Sequence, residues 1–139
     1  MKKVMSILVI IIAFAACKST KNKDMDKYST SFEEKEYQLL AIEDRDVEEM
    51  DLSLRVNPKL RMINGESGCN NYQFNYSLNE DVLDLGYGLA TKMYCEETIE
   101  IENSFFGATG KVKHFSETEN MLYFLDKDGK VLLKAKGKK

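Results

Sequence analysis

The sequence predicts a β-rich α+β domain, a curved antiparallel sheet or partly closed barrel accompanied by one α-helix. Three observations lead there. Short apolar segments, several with period-two alternation, recur between Tyr37 and Ala135. Polar and glycine-containing turns separate them. A single stretch, Glu96 to Ala108, carries helical spacing. Many strands with one helix fit a sheet whose end or face the helix covers.

Tyr37 to Ile42 is the first apolar segment. Leu52 to Val56 alternates, Asn57-Pro58 breaks it, and Leu60 to Ile63 resumes. Tyr72 to Leu78 alternates with Tyr72, Phe74 and Tyr76 on one face, and Val82 to Leu85 follows the polar turn Asn79-Glu80-Asp81. Lys111 to Phe115, Met121 to Leu125 and Val131 to Ala135 complete the set. Asp126-Lys127-Asp128-Gly129 between the last two is a hairpin signal. In the helix, early acidic residues suit the positive end of the helix dipole. Ile101, Phe105 and Ala108 form one stripe, and Gly107 and Gly110 stand where the helix should end. The stripe and the Tyr72-Phe74-Tyr76 face read as core, with a ligand-lining role for the aromatics as the alternative.

The N-terminus reads as an address. Lys2 and Lys3 precede the apolar run Ile7 to Phe14, which is too short for the roughly 20 residues of a spanning helix. Phe14-Ala15-Ala16-Cys17 resembles the lipobox of bacterial lipoproteins. That resemblance implies a signal peptide over 1–16 and acylation of Cys17, with several acyl chains giving a lasting anchor. Residues 17–34 then comprise lipidated Cys17 and a flexible tether, polar and rich in Lys and Ser/Thr. Residues 35–139 form the domain. Lys18 stands where some lipoproteins carry an inner-membrane retention aspartate, so the expected location is the outer membrane, facing the periplasm.

Composition narrows the function. Without Lys2 and Lys3 the chain has 18 basic and 23 acidic side chains, a formal charge of −5. A mildly acidic chain without an aromatic-studded basic patch is no nucleic-acid binder. The basic tail, Lys134 to Lys139, reads as a solvated end. His114 is the sole histidine, which argues against Ser-His-Asp or Cys-His chemistry. No catalytic residues, cofactor or metal site is expected. Cys69 and Cys95 are the thiols left after acylation, and an exported pair becomes a disulfide in an oxidising compartment. Two other uses of that pair are reversible thiol chemistry and a zinc site with His114 and an acidic side chain. Glu96 and Glu97 beside Cys95 oppose a thiolate, and a reduction potential below about −300 mV marks a structural bond.

The residues around the two cysteines carry a family resemblance. Gly65-Glu66-Ser67-Gly68-Cys69-Asn70-Asn71-Tyr72 resembles the G-x-x-G-C-N-x-Y block of the META domain family, which includes HslJ-like heat-shock lipoproteins. Thr91 four residues before Cys95, with Met93 between them, resembles its second block. Glu102, followed by Phe105 and Phe106, matches its helix. The resemblance covers roughly Tyr37 to Lys136. It implies a compact β-rich domain with Gly65, Gly68, Asn70, Tyr72, Thr91 and Glu102 as motif residues. It implies heat-shock and envelope phenotypes without a known reaction. The expected protein is therefore a non-catalytic, monomeric envelope lipoprotein. It serves as a stress-related binding or structural module for an unidentified envelope protein or peptide, with thiol redox or small-ligand carriage as alternatives. Asn70, Asn71 and Tyr72 are a candidate recognition surface, or else simply shape the turn around the disulfide.

Overall fold

The computed structural model describes residues 28–139. The signal segment 1–16, Cys17 and the tether up to residue 27 lie outside the described residues. Ten strands follow: β1 (Lys35–Ile42), β2 (Arg45–Asp46), β3 (Ser53–Asn57), β4 (Met62–Glu66), β5 (Asn71–Asn79), β6 (Val82–Leu85), β7 (Leu89–Ala90), β8 (His114–Glu117), β9 (Met121–Leu125) and β10 (Val131–Gly137). Helix α1 (Ile99–Thr109) lies between β7 and β8. The main path is β6-β5-β4-β3-β1-β10-β9-β8, every pair antiparallel, with β2 added on β1 and β7 on β5.

The sheet curls until its edges meet. Leu83 N on β6 donates to Lys113 O, just ahead of β8, at 2.8 Å. Register shifts between Leu39 and Ala41 and between Val131 and Leu133 lie on the central pair β1 and β10. Such irregularities bend strands and let a sheet coil. The expected curved sheet is thus a nearly closed barrel with one helix.

Period-two alternation fills the interior. Tyr37 pairs across to Leu54, Ile63 to Phe74 and Phe115 to Phe124, and all six are buried. Burial of each large apolar side chain contributes about 1.5–3 kcal/mol relative to exposure. Tyr72, Phe74 and Tyr76 belong to this core. They pack against other rings: Tyr72 against Phe74 and Phe105, and Tyr76 against Phe32.

The helix closes one end. Ile101, Phe105 and Ala108 face inward, and the Phe105 ring lies 4.6 Å from that of Tyr72. The first turn begins later than the acidic residues imply. Cys95 O accepts from Thr98 N and Ile99 N at 3.1 and 3.0 Å, which leaves Glu96 and Glu97 in a turn ahead of the helix. Gly107 lies inside α1, and Gly110 is the residue at which it stops.

The other end is filled by a residue ahead of β1. Phe32 is 7% exposed, stacks on Phe115 at 3.7 Å and meets Tyr76 edge-on at 5.1 Å. Ser29 N donates to Phe115 O at 2.8 Å, and Glu117 N donates to Ser29 Oγ at 2.9 Å. Tyr28 stacks on His114. The domain's packing therefore starts before Lys35, and residues 28–34 form a strap along β8. A lone Phe among Ser, Thr and Glu has no periodicity to announce its burial.

Candidate functional site

The motif residues meet at the helix end of the barrel, with Asn70 as hub. Its backbone N donates to Glu102 Oε1 at 3.0 Å, and its Nδ2 donates to Glu102 Oε2 at 2.9 Å and Met93 O at 2.9 Å. Its Oδ1 accepts from Thr91 Oγ1 at 2.7 Å and Met93 N at 2.8 Å. Its carbonyl accepts from Ser67 N at 2.9 Å. Thr91 Oγ1 in turn accepts from Asn71 N at 3.1 Å. Asn70 and Glu102 are both buried. Burial without partners would cost about 1–3 kcal/mol per group, and more for a charge. Here one amide satisfies the turn, the loop and the helix together.

The two motif glycines have separate reasons. A Cβ on Gly65 would lie 2.0 Å from Ser53 O, the same oxygen that accepts from Tyr72 Oη at 2.9 Å. Gly68 sits at φ +127°, where an added Cβ would also meet Thr98 Cβ at 2.8 Å. Both let the chain approach its neighbours more closely than a side chain allows. Burial pushes the Tyr72 phenol up from its usual range, so it stays a neutral donor to Ser53. Cys69 and Cys95 are disulfide-bonded, across a sequence separation of 26, with Cα atoms 6.3 Å apart. Asn70 and Tyr72 thus face inward, which sets aside the recognition surface considered for them, and only Asn71 remains exposed.

What this arrangement presents to solvent is the loop it holds. Tyr87 is 100% exposed, Leu89 67%, Met93 55% and Tyr94 78%. Four large apolar residues on one eight-residue span form the kind of surface that marks an interaction site. Beside it a cleft of about 460 Å³ opens between residues 84–88 and the last turn of α1. Sequence reasoning missed this loop, because exposure depends on what the neighbouring strands leave uncovered.

Other titratable groups serve the fold. Tyr37 is fully buried, and its hydroxyl donates to Glu117 Oε1. Burial, then the contact with Glu117, pushes the phenol up. Burial also raises the Glu117 carboxyl, against the opposing effects of hydrogen bonds from Tyr37 and Glu33 N. His114 lies on the strap side of the barrel, its Nδ1 2.8 Å from Asp81 O. Among the described residues no three His, Cys, Asp or Glu side chains gather as metal ligands.

Together these features define a class: a small antiparallel barrel, lidded by one helix, whose lid is stapled by a disulfide and a buried asparagine–carboxylate pair. The sequence profile of the META domain matches residues 30–139, and the chain belongs to the META domain family. Among solved structures, a protein from Burkholderia xenovorans, determined by NMR, superposes with a TM-score of 0.62 at 21% identity, over 76% of this chain and 83% of its own. A second NMR structure gives 0.57 at 19% identity, over 74% and 88%. At these identities the likeness concerns the fold. No curated protein matches the chain.

Proposed function

We propose that this META domain protein is a non-catalytic module of the bacterial cell envelope. In this reading it is anchored through acylated Cys17, on the periplasmic side of the outer membrane because Lys18 stands in place of a retention aspartate, and it binds a protein or peptide under envelope stress. One observation carries the binding role. The motif residues spend their polar groups on one another, and the loop they fix carries Tyr87, Leu89, Met93 and Tyr94 to solvent. Tyrosine and methionine are enriched where proteins meet, and a rigid loop loses little entropy on binding.

Photo-crosslinking in intact envelopes, with and without heat stress, tests this. A crosslinker in place of Tyr94 should yield a discrete adduct that the same group in place of Lys134 does not. Equal labelling from both positions, or none, overturns the reading. Replacing Cys17 with Ser should move the protein from the membrane to the soluble envelope fraction, and continued membrane attachment would refute the anchor.

A further inference from the structure

We propose that the cleft between residues 84–88 and the C-terminal turn of α1 receives the lysine or arginine side chain of a partner polypeptide. This rests on the binding-module reading above and gives its partner a chemistry. Phe74 and Phe106 line the cleft, their ring centroids 6.1 Å apart, and Tyr87 stands at its rim. Gly88 brings the loop onto the Phe74 ring, for an added Cβ there would come within 2.4 Å of it. Aromatic faces attract cations and pack against the methylene stems of long basic side chains.

Two further features share that sign. Asp84, exposed on β6, lines the same cleft, and among the described residues no cation lies within ion-pair distance of it. The last turn of α1, which contributes Thr109, has no basic side chain to offset the negative end of its dipole. Lys111, just past the helix, is paired with Glu43 at 3.1 Å. Rings, carboxylate and helix terminus thus converge on a cation with an apolar stem. The volume falls in the range of small-ligand sites. The occupant is polypeptide-borne because β7 follows directly on Gly88, the last loop residue of the cleft wall. Among the described residues β7 pairs with β5 alone, so its outer edge and the exposed Leu89 offer contacts that a free ion does not need.

The test is an NMR titration of the full-length chain, 15N-labelled, in maltoside solution. The probes are acetyl-Gly-Arg-Gly-amide, acetyl-Gly-Lys-Gly-amide and the neutral citrulline counterpart. Saturable shifts of the Gly86, Gly88 and Gly110 amides are expected with both cationic peptides. Citrulline should bind about tenfold more weakly, and Asp84→Asn should weaken the cationic peptides by a similar factor, the scale of one charge-assisted contact. Gly110→Lys supplies a second route. Gly110 has φ −64°, and an added Cβ meets nothing closer than 3.6 Å. It should seat the chain's own cation and abolish peptide binding at an unchanged melting temperature. Equal binding of citrulline, indifference to Asp84→Asn, or normal binding by the folded Gly110→Lys protein overturns the proposal. Failure here with a discrete adduct from position 94 removes the cation site alone, whereas loss of that adduct removes the binding reading beneath it.

Discussion

The two ends of this barrel are closed by different means. At the helix end, Asn70 ties Glu102, Thr91 and Met93 together, and the Cys69–Cys95 bond joins the same segments. At the other end, Phe32 rests on Phe115 and Tyr76, and its strap is held by hydrogen bonds through Ser29 and Glu33. One closure is covalent and polar, with each partner dependent on the rest. The other is one aromatic ring and a few local contacts. A polar hub fails as a unit when one member changes, whereas a ring held by stacking loosens by degrees. The helix end should therefore set global stability, and the strap end should open first.

The sharpest way to break that contrast is Asn70→Asp. It sets a second carboxyl against Glu102 in a buried site and leaves Met93 O without its amide donor. A loss of about 3–5 kcal/mol is expected by chemical denaturation, the cost of an uncompensated buried charge. A loss under 1 kcal/mol would make the hub dispensable. Replacing Cys69 and Cys95 together by Ser comes next. The loop they close corresponds to about 3.5 kcal/mol of chain entropy. At roughly 4 °C or more per kcal/mol for a domain of this size, the melting temperature should fall by about 10–20 °C. An unchanged melting curve would mean that the bond does not constrain the unfolded chain.

Phe32→Ala should cost less, about 2–3 kcal/mol, below the usual range for a core phenylalanine because the strap can detach without unfolding the barrel. Hydrogen exchange gives the more telling readout. The amide of Ser29 should lose protection while those of Asn70 and Met93 keep theirs, and equal loss at both ends would erase the distinction.

The smallest effect is a pH dependence at the strap. Glu117 titrates above its ordinary 4.5 in the folded protein, chiefly through burial. The folded state therefore binds a proton that the unfolded state has released between 4.5 and the raised value. That contribution is fully present below 4.5 and is lost as pH rises through the folded value. The melting temperature of the wild type minus that of Glu117→Gln should accordingly grow as pH falls from 7 towards 4.5. A constant difference across that window would show that the carboxyl is not raised.

The contrast also explains what could be read in advance. The strands of the core were legible because alternation is a local property, and Asp126 to Gly129 forms its turn as that motif demands. Asp126 Oδ1 accepts from Asp128 N and Lys130 N, both at 2.9 Å, and Gly129 takes φ +80°. Gly65, Gly68, Asn70, Thr91 and Glu102 could be named from the family resemblance, yet their roles could not. The Asn70 amide is ordered by a carboxyl 32 positions away, and no local pattern records that pairing. The polar neighbours of Phe32 read as tether, whereas its partner Phe115 lies in the last third of the chain. The β5–β6 turn uses Glu80 at φ +56°, a conformation that its residue type does not announce. The Tyr87 loop was silent for a related reason, since apolar residues at a surface look in sequence like apolar residues in a core.

The position of β1 between β3 and β10 bears on how the protein is made. A chain produced from its N-terminus can pair β1 with β3 early, through Tyr37 and Leu54. The other edge waits for Lys136 to reach Gln38. Contacts of such long sequence separation form slowly, and an unpaired edge recruits other strands in the interval. A copy cut short before β10 keeps that edge open permanently. Translational incompleteness is then displayed on the outside of the molecule, where a chaperone or protease that recognises free strand edges could read it.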